Sequence, residues 1–233
     1  MGKYVFPFLI LFILCLIVGY CTANEFFPNK ISSAHATQTR VSTLHINLII
    51  INVDNLKDNA PTLLAVWGIF LDVSNDKVMR MAFKPLYPIP TSGDLNQEFQ
   101  DRFSLDPKKA PSPEFLQDLT KIYNFPWDNY LVLDNNAILV LSDWITGIPY
   151  SFQPTAAVSK EEAKTLIDEQ QTLLLDICQS LNAENLQQEP KFNWLKVMPK
   201  HIISDLTNQS FIDNWNQIVD SKKPSHCEIL NDP

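Results

Sequence analysis

Leu44–Asn55 reads LHINLIIINVDN. The run is too short and too rich in isoleucine for a free-standing helix, so it reads as a β-strand buried on both faces. Asp54 and Asn55, both turn formers, end it. After a polar loop and Pro61, Leu64–Leu71 reads as a second strand. Asp72–Asp76 (DVSND) is then a turn leading into a third strand, Val78–Phe83. This strand–turn–strand order suggests a hairpin beside the buried strand. Lys84–Gly93 contains Pro85, Pro88 and Pro90 and ends in glycine, so it reads as loop.

Downstream the period changes from two to that of a helix. Leu95–Phe103 is a short candidate. Ser112-Pro113-Glu114 has serine at the cap and proline at the first helical position, and opens a helix with Phe115, Leu116, Leu119, Ile122 and Tyr123 inward. Asn129–Leu133 is a short strand. Asp134 then caps a helix whose inner face is Ala137, Ile138, Val140, Leu141, Trp144 and Ile145, and Gly147 stops it. The clearest helix is Ser159–Asn182, SKEEAKTLIDEQQTLLLDICQSLN, where Ser159 and Glu162 have the spacing of a capping box. Ala163, Leu166, Ile167, Leu173, Leu174, Ile177, Cys178 and Leu181 form its apolar stripe. Gln170 interrupts that stripe. A buried amide without a partner costs roughly 1–3 kcal/mol, so Gln170 either meets a polar group in the core or faces a cavity that something polar enters. Trp194–Leu206 and Gln209–Val219 read as further helices, the second with Phe211, Ile212, Trp215, Ile218 and Val219 on one face. The expected fold is therefore α/β (α+β): one domain with a central mixed sheet covered by helices.

Ahead of this domain, Val5–Tyr20 is an apolar run broken only by Pro7 and Gly19 and preceded by Lys3. Residues 1–23 read as a signal peptide or a membrane anchor, with Cys21-Thr22-Ala23 compatible with cleavage before Asn24. Residues 24–40 are a polar tether, 41–220 the domain and 221–233 a C-terminal tail. This organisation places the domain outside the cytoplasm, membrane-anchored or secreted. There Cys178 and Cys227 can pair and pin the tail to the long helix; the other reading is a buried thiol and a free tail residue. A net charge of −8 without a basic run argues against nucleic acid.

Sequence signatures of chemistry are sparse. No Gly-rich phosphate loop, HExxH, CxxC or G-x-S-x-G is present. His35, His45, His201 and His226 are scattered without metal-ligand spacing, so no metal site is expected from them. Asp54, at the end of a buried strand, stands where α/β proteins often keep functional groups, and reads equally as a turn residue holding local backbone. Trp67, Trp127, Trp144, Trp194 and Trp215 read as core or boundary residues.

Four segments, HINLIIINVDN, VWGIFLDVSNDKVMRMAF, YNFPWDNYLVLDNNAILVLSDWITGI and the DEQQ of the long helix, resemble in order the LytR-CpsA-Psr family. These are extracytoplasmic phosphotransferases that join envelope glycopolymers to the bacterial cell wall. The resemblance spans about Leu44 to Leu206 and implies a polyprenyl chain in a hydrophobic pocket, a pyrophosphate held by arginines and a divalent cation held by aspartates. Asp54 matches the family's first aspartate. Thr62 and Leu64 stand where an arginine and a metal-binding aspartate are expected, and Lys84-Pro85-Leu86-Tyr87 replaces Pro-Arg-Asp. On the long helix Glu169 replaces an arginine, leaving Gln170 and Gln171. Arginine is used at such sites because its permanently charged fork binds phosphate oxygens in pairs. The expected function is therefore a non-catalytic relative of the family, with membrane contact through its N-terminus, that binds a polyprenyl-linked glycan, another lipid or an apolar envelope component, or acts as an interaction module. Asp54, Lys84, Gln170 and Gln171 are the candidate ligand-facing residues, and no cofactor is expected. The alternatives are a phosphotransferase with a rebuilt site, which would need Mg²⁺, and a structural domain without a small-molecule ligand.

Overall fold

The computed structural model describes residues 44–74, 77–147, 156, 159–181, 197–198, 200–219 and 222–230. The N-terminal leader and tether expected at 1–40 lie outside these residues, as do Trp194–Lys196 and most of the loop before the long helix. Among the described residues no helix is long and apolar enough to cross a membrane.

The strands are β1 (Leu44–Val53), β2 (Leu63–Val73), β3 (Val78–Tyr87), β4 (Asn129–Asp134), β5 (Ile202–Ser204) and β6 (Lys222–Ile229). They form one six-stranded mixed sheet in the order β5-β4-β1-β2-β3-β6. Within it β1 runs antiparallel to β2 and parallel to β4, and β3 runs parallel to β6. The helices are α1 (Gly93–Arg102), α2 (Pro113–Tyr123), α3 (Asn135–Thr146), α4 (Lys160–Ser180) and α5 (Asn208–Val219). The expected α/β fold with helices over a central mixed sheet is the one observed.

Local signals set the helix ends as the sequence implies. The Ser112 side chain accepts from Phe115 N with Pro113 at the first position, and Asp134 accepts from Ala137 N. Ser159 and Glu162 form a complete capping box. Gly147 closes α3 at φ 69°, a left-handed conformation glycine adopts without a Cβ clash.

Three assignments change. Lys84–Tyr87, expected as loop, continues β3 against β2. Pro85 is tolerated there because it sits beside a register shift and beyond Phe83, the last β3 residue paired with β6. Ile202–Ser204, expected as helix, forms the short edge strand β5 on β4. Residues 221–233, expected as a tail, contain β6, which belongs to the same compact unit as the rest of Val41–Pro233. Cys178 on α4 is bonded to Cys227 on β6, with Cα atoms 6.2 Å apart.

The two faces of the sheet pack differently. One face carries Ile49, Ile51, Val53, Val66 and Val132 against Phe99 of α1 and Phe115 and Leu119 of α2, all essentially sealed from solvent. On this face a Cβ at Gly68 would come within 2.7 Å of the Trp127 ring, so the glycine is what lets that indole lie on β2. The opposite face packs against α3, α4 and α5. There Ile46, Leu48 and Ile50 of the central strand are only half-buried, although β1 has a hydrogen-bonded neighbour on each side. A central strand left half-covered on one face marks a space between sheet and helices.

Candidate functional site

That space is a cavity of about 240 Å³ between the sheet and α3, α4 and α5. It exceeds the ~150 Å³ apolar cavity that stays dry and admits benzene. Period-two alternation builds its floor: Ile46, Leu48, Ile50 and Asn52 point from β1 to the same face, opposite Leu71, Ile69, Trp67 and Ala65 of β2 in register. From Ile46 to Asn52 there are six steps of ~3.3 Å, so this floor is about 20 Å long. Leu173, Leu174 and Ile177 of α4 form part of the roof, and Trp215 and Ile218 of α5 close one side. Among the described residues no charged side chain lines the cavity, and the polar ones that do are Asn52, Gln170 and Asn214.

Gln170 meets a polar group in the core. The Trp67 Nε1–H donates to Gln170 Oε1 at 2.6 Å, with both residues buried. The odd residue of the α4 stripe therefore holds the indole that walls the cavity.

The other candidates do not join it. Gln171 is half-buried and does not line the cavity. Lys84 lies on the opposite face of the sheet, its Nζ 5.6 Å from the centroid of the Tyr123 ring of α2. Asp54 is occupied by its own turn: Oδ1 accepts from Asn55 N at 2.7 Å and Thr62 N at 2.8 Å. Those bonds fasten the end of β1 to the start of β2 and fit the local-backbone reading. Glu169 is half-buried and also outside the lining. The divalent cation of the resembled family is not matched by these residues. Asp54 offers one carboxylate already engaged with two backbone N–H groups, and the described residues include no cluster of three His, Cys, Asp or Glu side chains.

Two polar features escaped sequence reasoning: the bond from the capping Asp134 to His201, and the surroundings of Asn52. Asp134, fully buried, caps α3 through Oδ1 and bonds His201 Nδ1 through Oδ2 at 2.8 Å, so one carboxylate ties α3 to the segment entering β5. Asn52, 2% exposed, ends the cavity floor. Its Nδ2 donates to Val53 O, Leu133 O and Asn135 Oδ1 at 3.2–3.4 Å. Its Oδ1 is buried with no hydrogen-bond partner. The available signal was an asparagine at the close of a strand buried on both faces, where an amide needs a reason.

No protein-family model and no curated protein matches the chain. Among solved structures it is similar to the transcriptional regulator yvhJ from Bacillus subtilis, with 13% identity over 81% of this chain and 83% of that one, at a TM-score of 0.45. It is also similar to B. subtilis TagV, with 11% identity, 81% and 85% coverage and a TM-score of 0.44. For TagT bound to LIIa-WTA the values are 9%, 86%, 82% and 0.43.

Proposed function

We propose that this chain is an extracytoplasmic domain of the bacterial cell envelope, membrane-tethered or secreted, that binds the apolar chain of an envelope lipid without transforming it. The observation that carries this reading is the cavity over β1, lined among the described residues by aliphatic and aromatic side chains with three amides and no charge. A structural domain gains by covering such a surface, since each Å² of apolar area removed from water contributes about 25 cal/mol. A cavity retained along the central strand is better explained by a guest.

The segments resembling LytR-CpsA-Psr phosphotransferases fall on the elements that build this cavity. HINLIIINVDN is β1, VWGIFLDVSNDKVMRMAF is the β2–β3 hairpin, and DEQQ lies on α4. A rebuilt phosphotransferase site would need Asp54, Lys84 and Gln170 to converge. They are divided between a turn, the far face of the sheet and the cavity wall. Non-catalytic binding therefore accounts for the residues better than phosphoryl transfer does.

The test is titration with Nile red, an apolar dye whose emission rises in a dry site. Wild-type protein should bind it saturably. Leu48→Trp, which projects an indole into the cavity, should keep its circular dichroism spectrum and lose the binding. Equal binding by both proteins, or none by the wild type, would overturn the reading.

A further inference from the structure

We infer that the sheet carries a second ligand site, on the face opposite the apolar cavity, which takes a small zwitterion of the α-amino acid class with an apolar side chain. It is separate from the apolar-chain site and stands whether or not that reading holds.

Strand alternation places the site. His45 of β1, Asp72 of β2, Arg80 of β3 and His226 of β6 are successive register partners, so they form one row across four strands. The next row on the same face is Asn47, Phe70, Ala82 and Glu228. Both rows lie beyond the part of this face that α1 and α2 seal: exposure along β1 rises from 0% at Ile51 and 2% at Ile49 to 7% at Asn47, and His45 is exposed. Except for Asn47, these residues line an open groove of about 510 Å³. Ala82 makes its hollow, with only a methyl group between its cross-strand partners Phe70 and Glu228. The Phe70 ring is the apolar wall, held by Phe125 and Trp127 with ring centroids 4.7 and 5.8 Å away.

Beside the hollow stand two opposite charges that do not neutralise each other. Asp72 and Arg80 are directly opposite in register, a placement that sets Cβ atoms about 5 Å apart. Among the described residues, however, no ion pair or side-chain hydrogen bond joins them or engages either one. Arg80 is exposed and Asp72 half-buried, so solvent reaches both. On the β6 side the carboxylate is already engaged, with Glu228 Oε2 2.8 Å from His226 Nε2. A guanidinium only donates and a carboxylate only accepts. A simple anion drawn to Arg80 would meet Asp72 beside it, and a simple cation drawn to Asp72 would meet Arg80. An α-amino acid carries both charges on one carbon, so its carboxylate can accept from Arg80 while its ammonium donates to Asp72. Its side chain then lies in the Ala82 hollow against the Phe70 ring.

Isothermal titration calorimetry of the wild-type full chain with four probes separates these contributions: phenylalanine, 3-phenylpropanoate without the ammonium, phenethylamine without the carboxylate, and glycine without the side chain. Phenylalanine is expected to bind about tenfold tighter than each of the other three, the size of one charge-assisted hydrogen bond or one ring contact. Arg80→Gln and Asp72→Asn, both at solvent-reached positions, should each weaken phenylalanine about tenfold with unchanged circular dichroism spectra. Arg80→Gln should not weaken phenethylamine, nor Asp72→Asn 3-phenylpropanoate. Binding of either single-charge probe as tightly as phenylalanine would overturn the inference, as would wild-type affinity in either variant. Absence of phenylalanine binding at millimolar concentration would overturn it too. None of these results bears on Nile red binding, which reports the other face of the sheet.

Discussion

Replacing Gln170 by leucine tests the pairing that shapes the cavity wall. The Trp67 Nε1–H would lose its acceptor, 2.6 Å away, while remaining 3% exposed among aliphatic neighbours. An orphaned buried donor costs about 1–3 kcal/mol, partly offset by the apolar area leucine adds. For a chain of this size each kcal/mol moves Tm by roughly 2–4 °C, so Gln170→Leu should lower Tm by about 2–10 °C. Trp67→Phe removes the donor and also some ring volume, so it should destabilise through both effects. The double variant removes both partners, and its loss should be smaller than the sum of the single losses by about 1–3 kcal/mol. Urea unfolding followed by circular dichroism measures the four proteins without relying on the indole that is changed. Additivity within about 0.5 kcal/mol, or stabilisation by Gln170→Leu alone, would show that the bond does not hold the wall.

Other residues give sharper single-site expectations. Gly68→Ala brings a Cβ to 2.7 Å from Trp127 and should cost about 1–3 kcal/mol in chemical denaturation; an unchanged midpoint would mean that the indole moves freely. Opening the Cys178–Cys227 bond, which closes a separation of 49 residues, should remove up to about 4 kcal/mol and lower Tm by roughly 10 °C under reductant. Identical melting with and without reductant would contradict that. Asp134→Ala removes a helix cap and the partner of His201 together, so a loss of about 2–4 kcal/mol is expected. A loss below about 0.5 kcal/mol would deny the carboxylate its joining role.

Elements defined by local chemistry could be read directly from the sequence. Ser159 with Glu162, Ser112 with Pro113, and Asp134 with Gly147 each satisfy or end a helix through neighbours a few residues away, and the structure keeps all of them. Features set by distant pairing could not. β6 runs through Lys222, Lys223 and Pro224, residues that signal a protected edge rather than a strand, and it exists because β3 offers a free side. Ile202–Ser204 carries helix-compatible spacing, yet it sits beside Leu131–Leu133 on β4. The site divides in the same way. Gln170 stood out because it broke a period visible on one helix. Asn52 did not, because its significance depends on Leu133 and Asn135, about eighty residues away. Lys84 was misjudged for a related reason: its loop reading hid the fact that strand alternation sends it to the opposite face.

The proposed function requires the space between β1 and α4 to hold an apolar chain. Mass spectrometry of protein purified under native conditions from a bacterial envelope addresses it most directly, comparing wild type with Leu48→Trp. One lipid chain per wild-type molecule is expected, and none on the folded variant. Wild-type protein free of lipid in repeated preparations, or equal lipid on both proteins, would contradict it.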